Sequence, residues 1–190
     1  MTAPLRLPRT SATRLALLIL PAAAALVLAT ATSARAYVIE GQRWPGPTIT
    51  YYATAYKKAA NQAAQTWNNA NVGITFRKAS SSASADFVVI YSSDINRCEG
   101  LSLVGYQYGS QSWTEVGAGC DRAFMVFTLT HELGHILGLG HETHRCARMN
   151  PTVDFPTGTP GDCRYHRRSY WFKHLLKNDD IRGVRALYGG

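Results

Sequence analysis

Apolar and polar positions follow two rhythms along this chain, and each predicts a different kind of element. Over residues 55–69, Tyr56, Ala60, Ala63, Ala64 and Trp67 return every three or four positions among Lys, Gln and Asn, the spacing of one helical face. Residues 49–52 form a predicted first strand after the Pro45-Gly46-Pro47 turn, and residues 74–77 form a second. The run Phe87-Val88-Val89-Ile90, continuing to Tyr91, is apolar enough to be central in a sheet. Residues 100–108 are interrupted by glycine and polar at alternate positions, which suits a sheet edge. A long helix is predicted over residues 122–137, ending near Gly138. A last helix follows, capped by Asn178, with Asp179 and Asp180 in its first turn, where the dipole favours acids. The order is β-α-β-β-β-α-loop-α, an α/β sandwich of a mostly parallel sheet and a few helices.

Residues 1–36 fit neither rhythm. Arg6, Arg9 and Arg14 precede an apolar stretch over residues 15–29, broken once by Pro21, and Ala34-Arg35-Ala36 supplies small residues at both positions a signal peptidase reads. Its uninterrupted apolar run falls short of the roughly 20 residues that span a bilayer. The expectation is a cleaved signal peptide over 1–36 and one domain over 37–190, secreted and with no membrane attachment after cleavage. This changes the charge argument. The formal net charge is +8, but the leader carries Arg6, Arg9, Arg14 and Arg35 and no acid, so sixteen bases face twelve acids in the remainder. That mild surplus gathers on no single helix face. Arg164, Arg167 and Arg168 around His166 suit a solvated loop, and no nucleic-acid partner is expected.

All four cysteines lie beyond the leader, and an even count in an exported chain favours disulfides. Three pairings are possible. Cys98–Cys120 with Cys146–Cys163 is preferred because each closes a local loop flanking the segment described next. No C-x-x-C pair supports a thiolate zinc site.

That segment reads His131-Glu132-Leu133-Gly134-His135-Ile136-Leu137-Gly138-Leu139-Gly140-His141. Helical residues four apart share a face, so the imidazoles of His131 and His135 converge as two zinc ligands require. Glu132 stands beside the first ligand without closing the site. Gly138 can take positive φ, end the helix and bring His141 back as third ligand. Three neutral histidines leave a coordination position for water, whose pKa falls toward about 7 on zinc. Glu132 would take its proton and hand it to a leaving amine. The expected activity is zinc-dependent hydrolysis of peptide bonds in a polypeptide substrate, by a monomer.

With Gly138 and His141 at these distances the segment resembles the signature of the metzincin metalloproteases, H-E-x-x-H-x-x-G-x-x-H followed by a methionine turn. Met149, eight residues after His141 and followed by Asn150-Pro151, is similar to the matrixin branch. The resemblance implies that Met149 forms an apolar floor under the metal and does not ligate it. Arg43-Trp44-Pro45 with Ile49-Thr50-Tyr51, Trp67 with Ile74-Thr75-Phe76, Asp179-Asp180-Ile181-Arg182-Gly183 and Leu187-Tyr188-Gly189 extend the similarity over nearly all of 37–190. It implies a twisted, mostly parallel sheet with one antiparallel edge strand, an active-site helix and a C-terminal helix. It also implies that peptide binds along residues 103–106, with residues 151–155 walling the pocket beyond the scissile bond.

Several features depart from the matrixins. No cysteine-switch motif and no room for a propeptide are seen after Ala36, and the His and Asp residues of a structural zinc are missing from 92–114. One catalytic zinc is therefore expected, with calcium left open. Glu142, directly after the third histidine, looks like the astacin branch, whereas Pro151 stands where astacins place a tyrosine. In both branches a buried acid anchors the new N-terminal ammonium, which here implies Tyr37 against Glu142 or Asp179. Two other functions compete with the protease. A zinc-binding module without catalysis would be indifferent to Glu132→Ala, and a zinc hydrolase acting on a small non-protein amide would need a closed pocket.

Overall fold

The computed structural model describes residues 37–151 and 168–189. The expected signal peptide over 1–36, Cys163, the basic cluster at Arg164 and Arg167 and most of the expected pocket wall lie outside the described residues.

A five-stranded sheet carries the fold: β1 (Thr48–Ala53), β2 (Thr75–Lys78), β3 (Phe87–Tyr91), β4 (Gly100–Ser102) and β5 (Ser112–Val116), in the order β2-β1-β3-β5-β4. β1 pairs in parallel with β2 and β3, β3 pairs in parallel with β5, and β4 alone runs antiparallel at one edge. This is the expected sheet: mostly parallel with one antiparallel border. β3 sits at its centre because Phe87 and Val89 are fully buried.

β5 escapes the pattern read from sequence. Its inward positions are Ser112, Thr114 and Val116, all fully buried. Two hydroxyl side chains where apolar ones are expected hide the alternation. The edge strand is also shorter than residues 100–108. Gly105 has φ +70°, and the N–H groups of Gly105 and Tyr106 donate to His135 O (2.8 Å) and Gln42 O (2.8 Å), which draws the chain away from the ladder.

Helix α1 (Lys57–Asn69) buries Ala59, Ala60, Ala63, Ala64 and Trp67. It starts two residues after the predicted position because Tyr56 adopts φ 48°. Helix α2 (Arg122–Ile136) is entered through Asp121, whose carboxylate accepts from Phe124 N at 2.8 Å. From Met125 to Ile136 only His131 is not buried, the signature of a central helix. The Trp67 indole N–H donates to Thr130 O at 2.9 Å and ties α1 to it. A short helix α3 (Arg168–Lys173) was expected as loop. It buries Trp171 edge-on against Phe127. The last helix is α4 (Asn178–Tyr188). Its cap is Lys177, one residue before the predicted Asn178, because the Asp180 carboxylate reaches back to the Lys177 N–H at 2.7 Å. Among the described residues no helix is long and apolar enough to cross a membrane.

Cys98 and Cys120 form a disulfide with Cα atoms 5.3 Å apart, linking the loop before β4 to the entry of α2. Cys146 is also disulfide-bonded.

Candidate metal centre

The C-terminal end of α2 is where the chain's elements meet. A helix end leaves carbonyls without intrahelical donors, and here each donor comes from a different part of the sequence. The Trp44 indole donates to Ile136 O (2.7 Å), the Tyr188 hydroxyl to Leu137 O (2.9 Å) and Gly105 N to His135 O (2.8 Å). Glu40 N and Gly41 N both donate to Gly138 O, at 3.0 and 3.1 Å. Gly138 has φ +101°, a conformation that side-chain-bearing residues avoid, and it reverses the chain there. Residues 139 and 140 then run against residues 38 and 39, through the Ile39–Leu139 bridge and the Gly140 N–H to Val38 O at 2.9 Å. His141 is the next residue.

These constraints bring three imidazoles together. The Nε2 atoms of His131, His135 and His141 stand 3.1, 3.2 and 3.2 Å apart. Their far sides fix the tautomer for two of them. His131 Nδ1 lies 2.8 Å from Arg148 O and His135 Nδ1 lies 2.8 Å from Leu139 O. A carbonyl only accepts, so each Nδ1 carries the proton and each Nε2 presents a lone pair. Burial pushes His131 down to about 3 and His135 down to about 4, and it lowers His141 against the pull of Glu40. At neutral pH the lone pairs of His131 and His135 Nε2 therefore face the third ring, a donor set that suits a cation among them. Tetrahedral zinc, with nitrogen at about 2.0–2.1 Å, holds its ligands roughly 3.3 Å from each other, so the residues fit that ion.

Met149 lies beneath the cluster, buried, its sulfur packed against Gly134. A Cβ on Gly134 would stand 2.3 Å from Met149 Sδ and 3.4 Å from the Trp67 ring. Gly134→Ala is therefore expected to destabilise the protein by about 1–3 kcal/mol, because Met149, itself 2% exposed, must shift within the core to make room. Thermal unfolding of the zinc-loaded variant measures this; an unchanged midpoint would refute the packing argument. Asp180 fixes the Met149 turn from the other side. Its buried carboxylate accepts from Arg148 N (2.8 Å), Met149 N (3.2 Å) and Lys177 N (2.7 Å). The same Arg148 whose N–H Asp180 holds offers its carbonyl to His131, so the C-terminal helix orients a ring of the cluster.

Glu132 points from α2 toward the sheet edge. It is 4% exposed, and its Oε2 accepts from the Ser102 hydroxyl at 2.8 Å. Burial pushes its carboxyl up to about 7, against the downward pull of that hydroxyl. The strand above is cut to admit it: a Cβ on Gly100 would lie 2.6–2.7 Å from Glu132 Cγ, Cδ and Oε1.

The structure thus gathers His131, His135, His141, Glu132 and Met149 at one place. Cys98–Cys120 flanks it, and Cys163 lies outside the described residues. Of the expected peptide border at 103–106, the N–H groups of Leu103, Gly105 and Tyr106 are engaged by Trp113, His135 and Gln42, so that stretch keeps little free ladder. Sequence inspection missed Gly100, Ser102, Asp180 and the Arg148 carbonyl. The Gly-x-Ser step in the predicted edge strand was the available signal for the first two, because alternate strand residues share a face. Nothing in one dimension marks a carbonyl as a histidine partner.

A family model described as Astacin (Peptidase family M12A) matches residues 37–153. Among curated relatives, the hatching enzyme of Paracentrotus lividus is 28% identical over 149 residues, covering 70% of this chain and 22% of its own. Matrix metalloproteinase-20 of Homo sapiens is 29% identical over 175 residues, covering 77% and 32%. Astacin-like metalloprotease toxin 2 of Loxosceles intermedia is 30% identical over 147 residues, covering 73% and 52%. This chain spans about a fifth to a half of these relatives' lengths. Both branches that the sequence resembles appear among them, and the matching family model is the astacin one.

Proposed function

This chain belongs to the astacin family (Peptidase family M12A), and from that membership we propose that it is a secreted zinc endopeptidase cleaving polypeptides by general-base catalysis. The observation that carries this is the triangle of Nε2 atoms 3.1–3.2 Å on a side, with a carboxylate on the residue directly after His131.

His131, His135 and His141 would hold one zinc ion. When bound, zinc supplies a Lewis acid that polarises a carbonyl and lowers the pKa of water toward neutrality. The chain's own residues do the rest. Arg148 O and Leu139 O hold two of the rings in the donor tautomer. Glu132 receives the proton of the attacking water at its carboxylate and delivers it to the departing amine nitrogen. β4 lies over Glu132 and offers a sheet edge to an extended substrate, a mode in which backbone hydrogen bonds supply affinity without demanding one side chain. Secretion is proposed from the leader over 1–36 and the disulfide at Cys98–Cys120. Cys146–Cys163 is proposed as the second bridge, and the protein is proposed to act as a monomer.

Cleavage of the leader would also complete the domain. Among the described residues Glu142 Oε2 and Asp179 Oδ2 are buried without a hydrogen-bond partner, although Arg182 pairs with the other Asp179 oxygen at 3.3 Å. Residue 37 is close by: a Cβ on Gly183, one turn along α4 from Asp179, would lie 3.0 Å from Tyr37 Cβ. A new ammonium at Tyr37 would meet this pair. Retaining one extra residue before Tyr37 is expected to lower the melting midpoint by several degrees, on the order of the 1–3 kcal/mol lost at an unpaired buried polar group. Matched preparations in a calorimeter test this, and equal midpoints would argue against it.

The function itself is tested with casein: the mature protein should cleave it only with zinc bound. Absence of any zinc-dependent turnover would reject the endopeptidase in favour of a binding module.

A further inference from the structure

Both inward residues of β4 lie against one side chain, Glu132. Alternate strand positions share a face, so Gly100 and Ser102 both point toward α2. Gly100 leaves the space that Glu132 fills. Ser102, 9% exposed, donates its hydroxyl proton to Glu132 Oε2 at 2.8 Å. The Ser102 oxygen also lies 2.8 Å from Thr114 Oγ1, on the residue directly opposite in the β4–β5 ladder. A hydroxyl has one proton, and that of Ser102 is committed to the carboxylate. Thr114, fully buried, must therefore donate to Ser102. The hydrogen bonds run one way, from Thr114 to Ser102 to Glu132, and each donor polarises the next.

We propose that Ser102 is the positioning residue of Glu132: its hydroxyl, held in turn by Thr114, occupies Oε2 and leaves Oε1 as the oxygen that takes and returns the proton. The proposal rests on the general-base reading of Glu132. A carboxylate rotating freely about its last torsion would present either oxygen and would spend part of its time turned from the reacting centre. Proton transfer demands a donor–acceptor separation of about 2.6–3.2 Å, so such rotation reduces the population competent to react. The loss falls on the chemical step and leaves substrate affinity alone.

The test compares zinc-loaded mature wild type with Ser102→Ala, Ser102→Thr and Gly100→Ala on a quenched fluorogenic peptide, with zinc content and melting midpoint measured for each. Ser102→Ala is expected to lower kcat by about tenfold or more, as loss of one hydrogen bond to a charged group implies, with KM within about twofold and one zinc per chain. Ser102→Thr keeps the hydroxyl and should recover to within about threefold of wild type. Gly100→Ala presses on the Cγ, Cδ and Oε1 of Glu132 and not on backbone, so it should displace the carboxylate and depress kcat. In a crystal structure of zinc-loaded Ser102→Ala the Glu132 carboxylate should leave its wild-type position. A kcat for Ser102→Ala within about twofold of wild type overturns the proposal, as does a threonine variant no better than the alanine one. If Ser102→Ala does not fold, Thr114→Val, which removes the hydroxyl that holds Ser102, decides, and an unchanged kcat there also overturns it. A wild type with no zinc-dependent turnover would sink the endopeptidase reading itself; an active wild type beside an indifferent Ser102→Ala sinks only the role of Ser102.

Discussion

Glu132→Gln is expected to bind zinc normally and to lose about 10²–10⁴-fold in kcat/KM on casein-derived peptides, the range that general acid–base catalysis supplies. Glutamine is the informative substitution because it keeps the volume under Gly100, where a Cβ would already touch the side chain. Its amide oxygen can still accept from Ser102, so the strand above it need not move. What it lacks is an oxygen basic enough to hold a proton. Folding, zinc content and KM should therefore stay near wild type while turnover collapses. Metal analysis beside steady-state kinetics checks this. A Glu132→Gln protein that retains proteolysis within a few-fold would remove the general base from the mechanism, and the activity would have to come from another group.

The second large effect is expected on removing the metal. Chelation should abolish casein turnover and zinc should restore it, while cations that cannot adopt a tetrahedral nitrogen site should not. Stability should respond as well. Zinc held by the folded state at a thousandfold excess over its dissociation constant stabilises by about 4 kcal/mol, which for a domain of this size moves the melting midpoint by roughly 10 °C. His135→Ala should reproduce both losses without chelator. It removes the buried member of the triangle, leaving the half-buried His131 and exposed His141 as two ligands only. Equal melting midpoints for metal-loaded and chelated wild type would contradict the assignment of this cluster as the metal site.

Much of the scaffold was legible before any coordinates. The periodicity over residues 55–69 and the helix expected over 122–137, ending near Gly138, placed both central helices to within two residues, since apolar spacing and a glycine stop are local signals. The parts that stayed hidden share one cause. β5 was missed because Ser112 and Thr114 face inward, and their burial depends on what they meet across the fold. Residues 103–106 were expected as a continuous edge, but Gly105 is claimed by Gln42 and His135, partners far away in sequence.

The same division runs through the site. Spacing along one helix places His131 and His135 on one face in any protein, with Glu132 beside it, and Gly138 permits the reversal that frees His141 to return. Those are properties of local geometry, so the proposed ligand set and the proposed general base could be read from eleven residues. Where His141 ends up, which nitrogen of each ring carries a proton, and which carboxylate oxygen of Glu132 is held all depend on groups brought from elsewhere: residues 38–41, Arg148 O clamped by Asp180, and Ser102 backed by Thr114. Hydrogen-bond direction is a property of pairs, and pairs between distant residues exist only once the chain has folded.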